Sequence, residues 1–328
     1  MIGCYATGIF PRPEELIKTT QRYVREKIEA AKLEEAFERA TAEIVDAQVH
    51  AGFAYVSDGM MKWQDLLRPF TENLEGVRSG GLTRWFSNNT FYRKPVIIGE
   101  LRRTKCVTEK ITLAQLLPKN LPWKAILPAP YTLAQLSENL YYKDKSELLF
   151  SYAKMLREEI RDLARLGFKY FQLSDPALVC RLDNQPITAD EMNLIAEALK
   201  VVVKGISAKT CLQTFHGDFS QIMPAALDFP VNHLGVDLYE TKFDAVKEYS
   251  FTKGVALGLV DARSSLIESS KELVNIAKRV FEFTCASGKD ECFICPNCDL
   301  EYVPWKRAKK KMAVLRRVAE RLREDLRE

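Results

Sequence analysis

Apolar residues return along this chain in two rhythms. Phe37, Ala40, Ile44, Ala47 and Ala51 recur at alternating steps of three and four, so 34–51 predicts a helix, with Gly52 as its stop. Leu149, Ala153, Leu156, Ile160, Leu163 and Ala164 do the same over 146–166, closed by Gly167. Thr188, with Glu191 three residues on, is a capping box opening a helix over 188–203. Further helices are expected over about 14–31, 111–117, 265–283 and 305–326. Between them lie short apolar runs at 53–57, 96–99, 123–127, 169–173, 210–215, 235–239, 255–260 and 292–295. Runs of that length bounded by turn residues read as buried strands. Strands alternating with helices predict a parallel sheet wrapped by helices. In 328 residues without a glycine-rich dinucleotide or phosphate-loop fingerprint, the better expectation is α/β of the closed kind, a (β/α)8 TIM barrel. One domain over 1–328 would then carry an N-terminal helical extension and a long C-terminal helix.

Composition narrows the function classes. Hydrophobic residues at 47% and charged residues at 28% are ordinary for a globular protein. A net charge of +4 is too mild to argue for nucleic acid, and the cluster Lys306 to Lys311 reads as a solvated helix face. No run of eighteen apolar residues and no leader is present, which leads us to expect a cytoplasmic protein without a membrane partner. Its eight cysteines are then expected as thiols or metal ligands.

In such a barrel chemistry sits where strands end. Those ends present Asp58; Ser174 and Asp175; Gln213, His216 and Asp218; Asp237 and Glu240; Asp261; and Cys298. Carboxylates, an imidazole and a thiol at one mouth would suit a metal or a polar small molecule, although polar residues also cap loops wherever strands stop. Cys292, Cys295 and Cys298 fall at steps of three. In an extended strand Cys292 and Cys295 point to opposite faces, so one ligand, Cys298, and two buried thiols is the expected arrangement.

Six segments, in order, resemble cobalamin-independent methionine synthases. They are Thr7-Gly8-Ile9-Phe10-Pro11-Arg12-Pro13, the stretch Arg84 to Pro95 with Trp85-Phe86, Leu127 to Thr132, Phe171 to Leu178, Gly258 to Arg263, and Cys298 to Pro304. The resemblance implies a (β/α)8 barrel and methyl transfer to the sulfur of homocysteine, with a zinc ion on that sulfur. The methyl donor would be a methylated folate-type pterin or a methylcobamide. Residue by residue, it implies Glu240 and Cys298 as zinc ligands with His216 as a third, Asp175 and Asp58 as catalytic, and Ser174, Asp218, Trp85 and Asp261 as substrate-binding. Three positions depart from the family pattern. Its His-x-Cys pair falls on Gln213-Thr214-Phe215, its amino-group Glu on Met60, and the Asp of its DEPAL strand on Ser174. Several segments are most similar to the family's non-catalytic N-terminal barrel. Three readings therefore stand open: a methyltransferase with a remodelled site, a non-catalytic barrel that partners a separate catalytic one, and a methyltransferase for another thiol.

Overall fold

The computed structural model describes residues 2–86, 88–181, 185–284 and 291–325. Ser87, in the Trp85-Phe86 segment, and residue 326, the last of the expected C-terminal helix, lie outside them. The strands are β1 Ile2–Cys4, β2 Glu75–Arg84, β3 Phe91–Arg102, β4 Trp123–Pro128, β5 Glu138–Asn139, β6 Phe168–Ser174, β7 Lys209–Gln213, β8 His233–Asp237, β9 Gly254–Val260 and β10 Cys292–Pro296. Seven of them form one parallel sheet in the order β1-β10-β9-β8-β7-β6-β4.

Residues 53–57 close that sheet on itself. Ala54 N donates to Cys4 O at 2.9 Å, Val56 N to Pro122 O at 3.1 Å, and Lys124 N to Val56 O at 2.9 Å. Val56 and Trp123 form a parallel bridge. The predicted strand 53–57 thus takes the eighth place and leaves no open edge in the barrel. Large helices Ala30–His50, Lys145–Leu166, Ala189–Val203, Ser270–Thr284 and Trp305–Asp325 wrap it.

The barrel interior is packed rather than hollow, as expected for eight strands. Tyr5, Tyr55, Tyr170, Phe293, Cys211 and Cys295 fill its middle, with Tyr55 and Tyr170 ring centroids 4.5 Å apart. Lys124 sits among them, its amine 3.2 Å from the centroid of Tyr5 and donating to Ala6 O at 2.8 Å. Burial brings that amine down to about 7, so the ring face and one carbonyl serve a group close to neutrality.

Four expectations change. The run 96–99 is not a barrel strand. It lies in β3, antiparallel to β2 in a three-stranded sheet with β5. Its burial there is one-sided, with Ile97 inside and Ile98 exposed, which suits a sheet packed on one face only. The segment 111–117 holds a single 3-10 turn, Ala114–Leu116. The helix expected over 14–31 stops at Val24, because Glu26 takes a left-handed φ of 56°. Cys292 is disulfide-bonded rather than a thiol.

Away from the mouth, Glu159 ties the wrapping helix Lys145–Leu166 to the loop before the 3-10 turn. Fully buried, it accepts from Val107 N at 2.9 Å, Thr108 N at 2.7 Å and Arg103 Nη1 at 3.0 Å. Glu159→Ala leaves two buried amides unpaired and removes one of the carboxylates around Arg103, and is expected to cost about 3–5 kcal/mol and lower Tm by roughly 5–10 °C in a calorimetric scan.

Candidate active site

The C-terminal ends of β6 to β10 and the loops after them form one polar mouth. Asp175 follows β6. It is fully buried and held at two points: its amide donates to Gln213 O at 2.8 Å, and Thr132 Oγ1 donates to its Oδ1 at 2.6 Å. Its Oδ2 has no partner among the described residues. Burial pushes this carboxyl up to about 7. On the neighbouring strand Gln213, paired in register with Ser174, leaves its Oε1 unpartnered, and Gln172 one layer below does the same. Ser174 accepts from Gln172 Nε2 at 2.9 Å, so its hydroxyl braces the layer.

The strand β7 stops at Gln213, and a left-handed turn at His216, φ 69°, swings the imidazole over the mouth. His216 N donates to Asp237 Oδ2 at 3.2 Å, while both ring nitrogens are buried and unpartnered. Phe215, Phe86 and Tyr302 pack around the ring. Burial first, and then the charge of Arg263, bring the imidazole down to about 3, so it is neutral at physiological pH. Phe215 itself belongs to the hydrophobic core, which removes it from the mouth.

Asp237 stood among the strand-end candidates, whereas Asn297 and Arg263 were not singled out as site residues by the sequence. Asn297 Nδ2 donates to Asp237 Oδ1 at 3.2 Å and its Oδ1 accepts from Ala262 N at 2.8 Å, which locks β8, β9 and β10 at their ends. Arg263 reaches across to Glu240, Nη2 to Oε1 2.6 Å, and lies 3.8 Å from Asp261 through Nε. Arg263 ends the family-like segment Gly258 to Arg263, but its partners appear only once the loops are folded together.

Several expected residues turn out to be structural. Asp58 Oδ1 accepts from Met60 N at 3.0 Å and Oδ2 from Leu113 N at 3.3 Å; both oxygens are spent on backbone, so a catalytic role for Asp58 is not supported by its geometry. Asp218 caps the turn Phe219–Ile222 through Ser220 N at 2.9 Å. Asp261 accepts from Arg263 N at 3.0 Å and fixes that loop. Trp85 is buried, edge-on to Phe86 at 5.0 Å and to Tyr92 at 5.8 Å.

The zinc implied by the resemblance does not fit these residues. Among the described residues no three His, Cys, Asp or Glu side chains converge as a metal-holding group, so Glu240, Cys298 and His216 are not assembled as ligands. Glu240 is engaged by Arg263. The Cys298 thiol is fully buried, and burial together with Asp299 and Asp237 pushes it well above the ordinary thiol range. What Cys298 contributes instead is backbone: its carbonyl accepts from Thr7 Oγ1 at 2.8 Å. Next to it Asp299 accepts from Ile9 N at 3.2 Å, an approach that a side chain at Gly8 would block. The Thr7 to Pro13 loop and the Cys298 turn are thus one docked unit.

Beside that unit opens a cleft of about 270 Å3 lined by Asp65, Trp85, Phe91, Asp299 and Glu301 among others. Phe86, edge-on to the cleft residue Trp85, has its ring centroid 6.4 Å from that of His216. Burial, followed by the charges of Asp299 and Asp65, pushes the Glu301 carboxyl up.

Comparison with known proteins gives a consistent picture. The family model described as cobalamin-independent synthase, catalytic domain, matches residues 4–321. The methionine synthase of Saccharolobus solfataricus is 27% identical over 323 residues, covering 97% of this chain and 94% of the relative. That of Sulfolobus acidocaldarius is 26% identical over 307 residues, 93% and 87% of the two chains. Among solved structures, a B12-independent methionine synthase from Shewanella sp. W3-18-1 in complex with selenomethionine superposes with a TM-score of 0.81 at 20% identity, covering 99% of this chain and 98% of that one. A methyltransferase from Methanosarcina mazei gives 0.63 at 11% identity over 99% and 94%. These two likenesses establish the barrel fold.

Proposed function

The chain belongs to the cobalamin-independent synthase family, and on that premise we propose that it transfers a methyl group to the thiol sulfur of homocysteine, forming methionine. The observation that carries the proposal is Asp175. A fully buried carboxylate oxygen without a donor, beside an unfilled Gln213 Oε1, is a site short of N–H groups. The ammonium group of an amino acid supplies them. Ser174 and Thr132 hold Asp175 and its layer as positioning residues. Arg263 follows β9 and has His216 within its electrostatic reach, and the sulfur of a bound amino thiol would point toward them.

The acidic and aromatic cleft suits the donor. Phe91 offers a ring face and Glu301 a carboxyl for the amino-pyrimidinone edge of a pterin. A methylated pterin held there would supply the methyl group, its nitrogen keeping the bonding electron pair and taking up the proton that the thiol gives up. Among the described residues no three His, Cys, Asp or Glu side chains converge as a metal-holding group, and this reading gives the orienting of the thiol to the chain's own groups.

The test is methionine formation, read by mass spectrometry, from homocysteine and a methylated pterin. The chain alone is expected to form it. Methionine appearing only when a separate catalytic barrel is added would assign this chain the partner role, and none in either case would sink the proposal.

A pH dependence follows. In the empty site Asp175 keeps its proton up to about pH 7. A bound ammonium favours the carboxylate, so binding must expel that proton below this pH. Homocysteine affinity is therefore expected to rise as pH rises through about 7, roughly tenfold per unit well below that value, with one proton released. Calorimetry in two buffers of different ionisation enthalpy would measure it.

A further inference from the structure

Gln213 and Phe215 stand where the family has its His-x-Cys ligand pair, and near the two ligand positions that remain, Glu240 and Cys298, the mouth holds a cation. Arg263 sits between Glu240 and Asp261, at 2.6 Å and 3.8 Å, and its backbone amide is pinned by Asp261 Oδ1 at 3.0 Å. Asp237, Cys298 and His216 all lie within its electrostatic reach. About a third of its side chain remains exposed, so it faces the open mouth rather than the core. Nη2 is taken by Glu240 and Nε is turned to Asp261. Close by, both ring nitrogens of the buried His216 are unpartnered.

We propose that Arg263 is this site's replacement for a metal: a fixed cation that donates N–H groups to the sulfur of the acceptor, with His216 completing the sulfur's surroundings, so that the amino thiol is bound and oriented with no metal ion. This rests on the amino-thiol reading above. Glu240 then changes role, from metal ligand to the tether that aims the guanidinium. A planar guanidinium with fixed N–H directions can do this where an ammonium cannot, so Arg263→Lys is not a conservative change. The groups facing the guanidinium are Glu240 and Asp261 from its own side, Asp237 and His216 from the ends of β8 and β7, and Cys298 beyond β10. A dication brought among Glu240, Cys298 and His216 would meet this like charge at short range.

The experiment compares homocysteine with 2-aminopentanoate, which carries a methyl group in place of the thiol, using chelator-treated protein whose metal content is read by elemental analysis. Calorimetry is expected to show homocysteine preferred by about tenfold without metal, as one charge-assisted hydrogen bond would give. Arg263→Gln is expected to remove that preference while changing 2-aminopentanoate affinity less than about twofold, and Arg263→Lys to restore it only in part. Equal losses for both ligands in Arg263→Gln would place the guanidinium on the carboxylate and overturn the assignment. So would a preference that requires added zinc at one equivalent, or one that survives in Arg263→Gln. Wild-type protein that binds neither ligand, with or without zinc, would instead remove the amino-thiol reading on which the inference stands. Circular dichroism and Tm of each variant check that the barrel is folded.

Discussion

Asp175→Asn is expected to lower kcat/KM for methyl transfer by roughly 10²–10³-fold while raising the stability of the ligand-free protein near neutral pH. The substitution is isosteric, so the Thr132 hydroxyl keeps an oxygen to donate to. It removes the charge that an ammonium group needs, and leaves the substrate's buried cation unpaired. The stability gain follows from the carboxyl's titration. Its ordinary value is 3.8 and its value in the fold about 7. Between those limits the folded state holds a proton that the unfolded state has lost, so stability falls as pH rises through the window and levels off above it. At pH 8 the native protein carries the whole cost, of the order of a few kcal/mol, and the asparagine variant carries none of it. Denaturant unfolding of both proteins between pH 5 and 8 should therefore show a slope that is smaller in the variant. Activity lost together with stability would mean that Asp175 is a framework residue.

Gly217→Ala should damage the site from outside it. A Cβ at Gly217 would lie 2.1 Å from Val179 O and 2.5 Å from Val179 C, against backbone that cannot step aside as a side chain does. The loops after β6 and β7 must then separate, and His216 is the adjacent residue. We expect a loss of about 2–3 kcal/mol in unfolding free energy, with a further 10- to 100-fold fall in kcat/KM from the displaced mouth. Gly81→Ala, with nothing within 4 Å of the added Cβ, is the matched control and should be within about 0.5 kcal/mol of wild type. A Gly217→Ala protein as stable and active as that control would show the two loops to be independent.

The barrel itself was largely legible in the sequence because parallel strands buried on both faces leave short apolar runs, and each run here is followed by a polar strand end. The helix Ala189–Val203 opens at Thr188 as its capping residue demands, with Glu191 N donating to Thr188 Oγ1 at 3.2 Å. The run 96–99 misled because its apolar residues serve a one-sided sheet, and four residues do not separate that case from a barrel strand. At the site, the end of β6 could be named from position alone. Asp58 could not be judged, since whether its oxygens meet solvent or the amides of Met60 and Leu113 depends on a loop fifty residues away. Glu240 and Cys298 were legible as family positions but not in their present roles. One holds an arginine, and the other anchors the N-terminal loop by its carbonyl. Arg263 ends a family-like segment, but its pairing with Glu240 appears only in the folded loops.

The His-x-Cys pair is replaced, while Arg263 lies in a segment that resembles the family, Gly258 to Arg263. Gln213 keeps the barrel layer filled and leaves an acceptor at the mouth, and Phe215 joins the core. The acceptors Asp175 and Gln213 stand at the ends of β6 and β7 and the guanidinium after β9, an arrangement that suits an amino acid with a sulfur-bearing side chain.

A crystal structure of metal-free protein with homocysteine tests this account most directly. The account expects the ligand's ammonium nitrogen within hydrogen-bond distance of Asp175 Oδ2 and its sulfur on the Arg263 side of the mouth. Homocysteine bound with its carboxylate at Arg263 and its sulfur at Asp175, or bound only through a zinc ion on Glu240 and Cys298, would contradict it.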